Sequence, residues 1–285
     1  MKRVALALLL LVGAIAAGCG GEGSQSSSTA RTAPTATGSA STPSASSANA
    51  IVQAGQTTSA ETSARVSFKA TFTGDTSGTM TGEGVFSRRQ GHLTMDLGGL
   101  TSVGTGQAEI VFDKLVYYMK LPAGSGASLP PGKEWFKLDF AKLGKQQGLD
   151  LSQLMQLNQS DPSQALDFLQ GASADFEEVG QEQVRGGQTT HYKGTIDLQK
   201  VAEEAPADVQ EQYRELAELS GNQKVPMDVW IGDDGLVRKI AFTQAVPNGG
   251  SVKMEEEFYD FGTEEQVEVP SDDEVVDLTA LLGNS

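Results

Sequence analysis

The sequence predicts an α+β domain: a strongly curved antiparallel sheet of about ten or eleven strands, with a layer of helices on its concave, apolar side. Three observations carry this reading. Apolar and polar residues alternate with period two through most of residues 64–262. Turn signals, chief among them Asp234-Gly235, join these runs into hairpins. Only two segments switch to helical spacing, too few to cover both faces of so wide a sheet.

The strands follow in chain order. "ARVSFKATFTG" (64–74) places Val66, Phe68, Ala70 and Phe72 on one face and Arg65, Ser67, Lys69 and Thr71 on the other. "MTGEGVFSRRQGHLTMDL" (80–97) reads as two strands about a turn near Gln90-Gly91, with Phe86, Leu93, Met95 and Leu97 inward. "AEIVFDKLVYYMKL" (108–121) folds back at Asp113-Lys114, and "EWFKLD" (134–139) supplies a further strand. Beyond a helical interval come 176–198, 225–246 and 251–262; in the second, Val225, Met227, Val229 and Ile231 share a face. The first helical segment, 148–171, carries Leu149, Leu151, Leu154, Met155 and Leu157, then Asp161 as N-cap ahead of Pro162. The second, 198–221, carries Val209, Tyr213, Leu216 and Leu219 and is split or kinked at Pro206.

The domain is preceded by two other segments. Lys2 and Arg3 followed by "VALALLLLVGAIAA" have the layout of a secretory signal peptide over residues 1–18, shorter than the ~20 apolar residues a membrane span needs. Ala16-Ala17-Gly18-Cys19 then resembles a bacterial lipobox, whose cysteine receives a diacylglycerol and becomes the new N-terminus; leucine is more usual where Ala16 stands. The competing reading is an ordinary secreted protein with a chance cysteine at the cleavage point. Cys19 is the only cysteine, so an intrachain disulfide is excluded. Residues 19–50, rich in Ser, Thr, Ala and Pro, hold no large apolar side chain and read as a disordered, lipid-anchored tether. Residues 51–285 form the folded domain. Loss of residues 1–18 removes Lys2 and Arg3 and no acid, taking the formal net charge from −16 to −18. Such a surface repels nucleic acid and anionic headgroups, so membrane attachment falls to the covalent diacylglyceryl-Cys19 anchor.

The run "THYKGTIDLQKV" (190–201), the hairpin "VPMDVWIGDDGLVRKI" (225–240), the strand "VKMEEEFYDFG" (252–262) and the ending "VEVPSDDEVVDL" (267–278) succeed one another in an order that resembles the LppX/LprG lipoprotein family, itself similar to the LolA/LolB carriers. The resemblance covers most of residues 51–280. It implies a half-open barrel closed by helices around a hydrophobic cavity for acyl chains of a lipid or glycolipid. The Cys19 anchor places the domain at the extracytoplasmic face of the cell membrane, with an envelope transporter as a further candidate partner. The resemblance transfers Cys19 as a position and no individual ligand contact.

Candidates for the cavity lining are Phe68, Phe72, Phe86, Leu93, Met95, Ile110, Phe112, Met227, Val229 and Phe242, each of which could equally fill an ordinary core. Gly82, Gly84 and several methionines at inward positions suit a curved sheet around an irregular apolar partner. Glu256 shares a face with Val252, Met254 and Phe258, so it stands either at a cavity mouth or beyond the covered part of the sheet. Catalytic and metal signatures are missing from the pattern. His92 and His191 lie in strands and read as solvent-facing, no G-x-S-x-G elbow is present, and no spacing suits a metal or organic cofactor. The acidic runs 255–257 and 272–274 read as solvated. The sequence therefore points to a non-enzymatic lipid-binding lipoprotein; the alternative is a protein-binding or signalling lipoprotein with a filled core.

Overall fold

The computed structural model describes residues 45–74, 77–87, 90–98, 106–122, 125, 129–146, 176–197, 199–200, 203, 210, 214, 224–246, 250–263 and 266–279. Cys19 and the first expected helix, 148–171, lie outside them. Of the second, only Gln199, Lys200, Glu203, Gln210 and Arg214 are described, each in helical conformation.

The sequence's alternating runs become β1 (Ser63–Thr73), β2 (Gly78–Ser87), β3 (Gln90–Asp96), β4 (Gln107–Asp113), β5 (Val116–Lys120) and β6 (Trp135–Asp139). After them come β7 (Glu177–Val184), β8 (Gly187–Asp197), β9 (Lys224–Gly232), β10 (Val237–Val246), β11 (Gly250–Tyr259) and the short β12 (Val275–Asp277). All twelve belong to one curved, unclosed sheet in the spatial order β12-β6-β5-β4-β3-β2-β1-β11-β10-β9-β8-β7. Pairing is antiparallel throughout except for β12, which runs parallel to β6. β12 is one strand beyond the expected ten or eleven; three residues are too short a run to show alternation. Gln90 and Gly91, expected near the β2–β3 turn, already lie in β3, where Gln90 pairs with Asp113 of β4.

β1 joins the two halves. On one side Phe68 faces Gly82 of β2, and on the other it faces Glu256 of β11. Alternation along β1 is strict, with Ala64, Val66, Phe68 and Ala70 buried. At the far side Gly180, in left-handed backbone (φ 144), sits at a register shift between β7 and β8. Arg185 and Gly186, at φ 50 and 80, form the tight turn of that hairpin.

Two α-helices are described along their length, beside a single 3-10 turn at Asp272–Glu274. α1 (Ala45–Ala60) begins six residues inside the segment whose composition reads as tether. It lies on the apolar face, where Ala50, Ile51 and Ala54 pack with Phe176, Tyr192, Val229, Ile231 and Val237. Thr58 Oγ1 fixes the helix to β10 by accepting the Val237 N–H at 2.8 Å. α2 (Phe140–Gln146) follows β6 and is capped by buried Asp139, whose carboxylate accepts the Lys142 N–H at 3.0 Å.

β2 and β3 approach so closely at Gly84 that a Cβ there would stand 2.1 Å from the His92 carbonyl oxygen. Gly84→Ala is therefore expected to lower stability by about 1–3 kcal/mol, the usual cost of forcing atoms into a packed sheet. Urea unfolding of the variant beside the wild type measures it, and equal midpoints would show that the two strands can separate without penalty.

Candidate functional site

One face of the sheet is apolar from β5 across to β8. Its larger cluster joins Val66, Phe68 and Ala70 of β1 with Met80, Leu93, Met95, Ala108, Ile110, Val252 and Met254. Phe72, Phe86, Phe112, Tyr117, Met119, Phe242 and Phe258 pack against it while only partly buried. Phe258 and Met227 belong to the second cluster, beneath α1. All ten residues singled out from the sequence stand on this face: Phe68, Phe72, Phe86, Leu93, Met95, Ile110, Phe112 and Phe242 in the first cluster, Met227 and Val229 in the second. Glycines on this face make room for aromatic rings. A Cβ at Gly82 would meet the Phe68 ring at 2.5 Å, and one at Gly91 would meet the Phe112 ring at 2.3 Å, so each ring occupies the space that a side chain at the glycine would need.

Polar atoms are scarce here. Tyr117 stacks on Phe112 with centroids 5.4 Å apart and meets the edge of Phe140 at 5.0 Å; burial pushes its phenol up to about 12. Glu256 is the exception. It is 4 % exposed, between Met254 and Phe258 along β11, with Phe68 and Ile240 directly across. Its Oε1 is buried without a hydrogen-bond partner among the described residues. Desolvation raises its pKa to about 7. Of the two sequence alternatives, a place beyond the covered sheet is thereby removed. The acidic run 255–257 is also not uniformly solvated: Glu255 pairs with Lys253 at 3.2 Å and Glu257 with Arg185 at 2.8 Å on the opposite face.

That opposite face corrects one expectation. His191 is 8 % exposed and not solvent-facing. Its ring stacks on Trp230 at 4.3 Å, with Nδ1 3.1 Å from Glu182 and Nε2 2.8 Å from Asp228. Trp230 Nε1–H donates to Glu182 at 2.8 Å, and this bond, with His191 beside it, holds the Glu182 carboxyl below its usual range. From the hairpin tip Arg185 reaches across to donate to Ser67 of β1 at 2.7 Å and lies 3.8 Å over the Tyr259 ring. Alternation assigns His191 to the correct face; the cover over it depends on this long-range latch. His92 is about two-fifths exposed near Glu109. Among the described residues no group of three His, Cys, Asp or Glu is arranged to hold a metal. Beside the latch, Arg185, Thr189, Asp234, Arg238, Phe258 and Tyr259 help line an open pocket of about 670 Å³, to which none of the ten apolar candidates contributes.

The family model described as LppX_LprAFG lipoprotein matches residues 125–269. An uncharacterized 31.2 kDa protein from the rplA-rplJ intergenic region of Streptomyces griseus is 31% identical over 186 residues, 63% of this chain; the match spans 59% of that relative's length. Among solved structures, lipoprotein LppX of Mycobacterium tuberculosis is similar at 15% identity and TM-score 0.48, covering 78% of this chain and 98% of its own. LprF of Mycobacterium bovis is similar at 13% identity and TM-score 0.44, covering 81% and 100%.

The Glu256 environment predicts a pH dependence. Folded, this carboxyl keeps its proton up to about pH 7, whereas its unperturbed value is 4.5. The folded state thus binds more protons between those values, and the stability this group contributes is complete below pH 4.5 and lost as pH rises through 7. The shift corresponds to about 3 kcal/mol. Glu256→Gln removes the titration, so urea unfolding should show the variant gaining about that much relative to wild type across this window. A constant difference at all pH values would contradict the burial described.

Proposed function

The chain belongs to the LppX_LprAFG lipoprotein family, and on that premise we propose that it is a lipid-binding carrier of the cell envelope. In this reading Cys19 bears the diacylglyceryl anchor, residues 19–50 tether the domain, and the apolar sheet face receives acyl chains of a lipid or glycolipid. The observation that carries it is the wide apolar face itself: from β5 to β8, aromatic, methionine and aliphatic side chains cluster on one side of the sheet. A filled core would serve stability equally well, but partly exposed Phe72, Phe86, Phe112 and Phe242 along its length leave apolar area for a partner.

The mechanism needs no reaction. Acyl chains leaving water for this face gain roughly 25 cal/mol per Å² buried. Net negative charge keeps the domain from adhering electrostatically to anionic membrane, so cargo is taken up and presented at the end of a tether. Attachment requires covalent lipid, since two acyl chains give a lasting anchor where one is marginal. An envelope transporter is the expected partner for delivery.

Organic extraction of the full chain, purified from its own kind of host and analysed by mass spectrometry, should yield noncovalent lipid in a fixed ratio to protein beyond the anchor. Protein that repeatedly extracts empty, with a tightly packed interior, overturns the carrier reading in favour of a protein-binding lipoprotein. Separately, Cys19→Ala should release a folded domain into the medium. Continued membrane association of that variant would refute the anchor.

A further inference from the structure

A carboxyl group in the middle of an apolar face needs a partner. Glu256 is 4 % exposed, shares its face with Met254 and Phe258, and has Phe68 and Ile240 as cross-strand neighbours. The charged groups around it turn away. Lys69 and Lys239 alternate to the other face of β1 and β10, and on β11 itself Glu255 and Glu257 are engaged there by Lys253 and Arg185. α1, which packs beside Ile240, contains no Asp, Glu, Lys or Arg. No described cation therefore faces Glu256, and its Oε1 has no described hydrogen-bond partner. Buried polar groups left unpaired are costly enough that native proteins seldom keep them without a reason.

We infer that Glu256 is the polar anchor for cargo: as a neutral carboxylic acid it donates its proton in a hydrogen bond to an acceptor oxygen, an acyl-ester carbonyl, where the chains of a bound lipid join the headgroup. This rests on the carrier reading above and names the ligand chemistry of that site. Three features suit the assignment. The neutral form is the one an apolar setting with no described cation favours, and burial holds the proton on this carboxyl up to about pH 7. A protonated carboxyl is a donor, which an ester carbonyl can accept from and a hydrocarbon cannot. Position matters as well: Glu256 stands where the larger cluster under β1 meets the smaller one under α1, with Phe258 belonging to both. Chains laid to either side of it would run over continuous apolar surface while the ester stays at the one polar point.

The test uses the delipidated full chain and two radiolabelled probes, a dipalmitoyl diacylglycerol and its dialkyl ether analogue, which lacks the carbonyls. Wild type should prefer the ester by about tenfold at ~pH 5.5 and lose most of that preference at ~pH 8.5. Glu256→Leu, of similar volume and without the carboxyl, should bind both probes alike at both pH values. Glu256→Gln retains a neutral donor and should keep the ester preference without pH dependence, which separates loss of the hydrogen bond from damage to folding. Binding of both probes with the same ester preference in wild type and Glu256→Leu would overturn the inference and leave the carrier reading standing. Failure of every form to bind either probe would overturn both.

Discussion

The pairing of β1 with β2 on one side and β11 on the other is the interaction on which the rest of this structure depends. It fuses the chain's early meander, β1 to β6, with its late one, β7 to β11, into a single ladder. Because the register puts Val66, Phe68 and Ala70 beside Gly84, Gly82 and Met80 and also beside Phe258, Glu256 and Met254, two modest apolar faces become one. Without that alignment a one-residue slip in either pairing would send half the apolar side chains to the opposite face.

The two faces then divide the chemistry. The apolar one holds the two larger hydrophobic clusters and, among the described residues, a single buried carboxylate. The other carries ion pairs, and at its ends it folds short segments over aromatic residues: the C-terminal segment packs Val267 and Val275 with Val111, Tyr118 and Trp135, and the β7–β8 hairpin covers Trp230 and His191. Arg185 links that hairpin to β1 and β11, so the cover on the polar face and the seam of the sheet are mechanically joined. His191, gripped by two carboxylates and a stacked indole, is a structural member of this arrangement.

Much of this was legible in the sequence because period-two alternation reports which way a side chain points, and it did so for all ten apolar candidates. Asp234-Gly235 marked a real hairpin, with Gly235 at φ 77. What alternation cannot report is what lies on top. For that reason His191 read as exposed, and Glu256 could not be placed inside or outside the covered sheet. α1 escaped notice for another reason: "ASSANAIVQAGQTTSA" has no charged first or last turn and a composition continuous with the tether. Its stability comes from docking and from the Thr58 bond to Val237, both long-range. β12 is likewise defined by its partner β6 and not by its own three residues.

If the apolar face is a seat for acyl chains and not merely a core, a crystal structure of the protein purified from its own kind of host will show it. Elongated density is expected beside Phe112, Phe68 and Met254, with a polar feature at the Glu256 carboxyl. A face filled side chain against side chain by the protein's own residues, leaving no continuous volume along those positions, would contradict it.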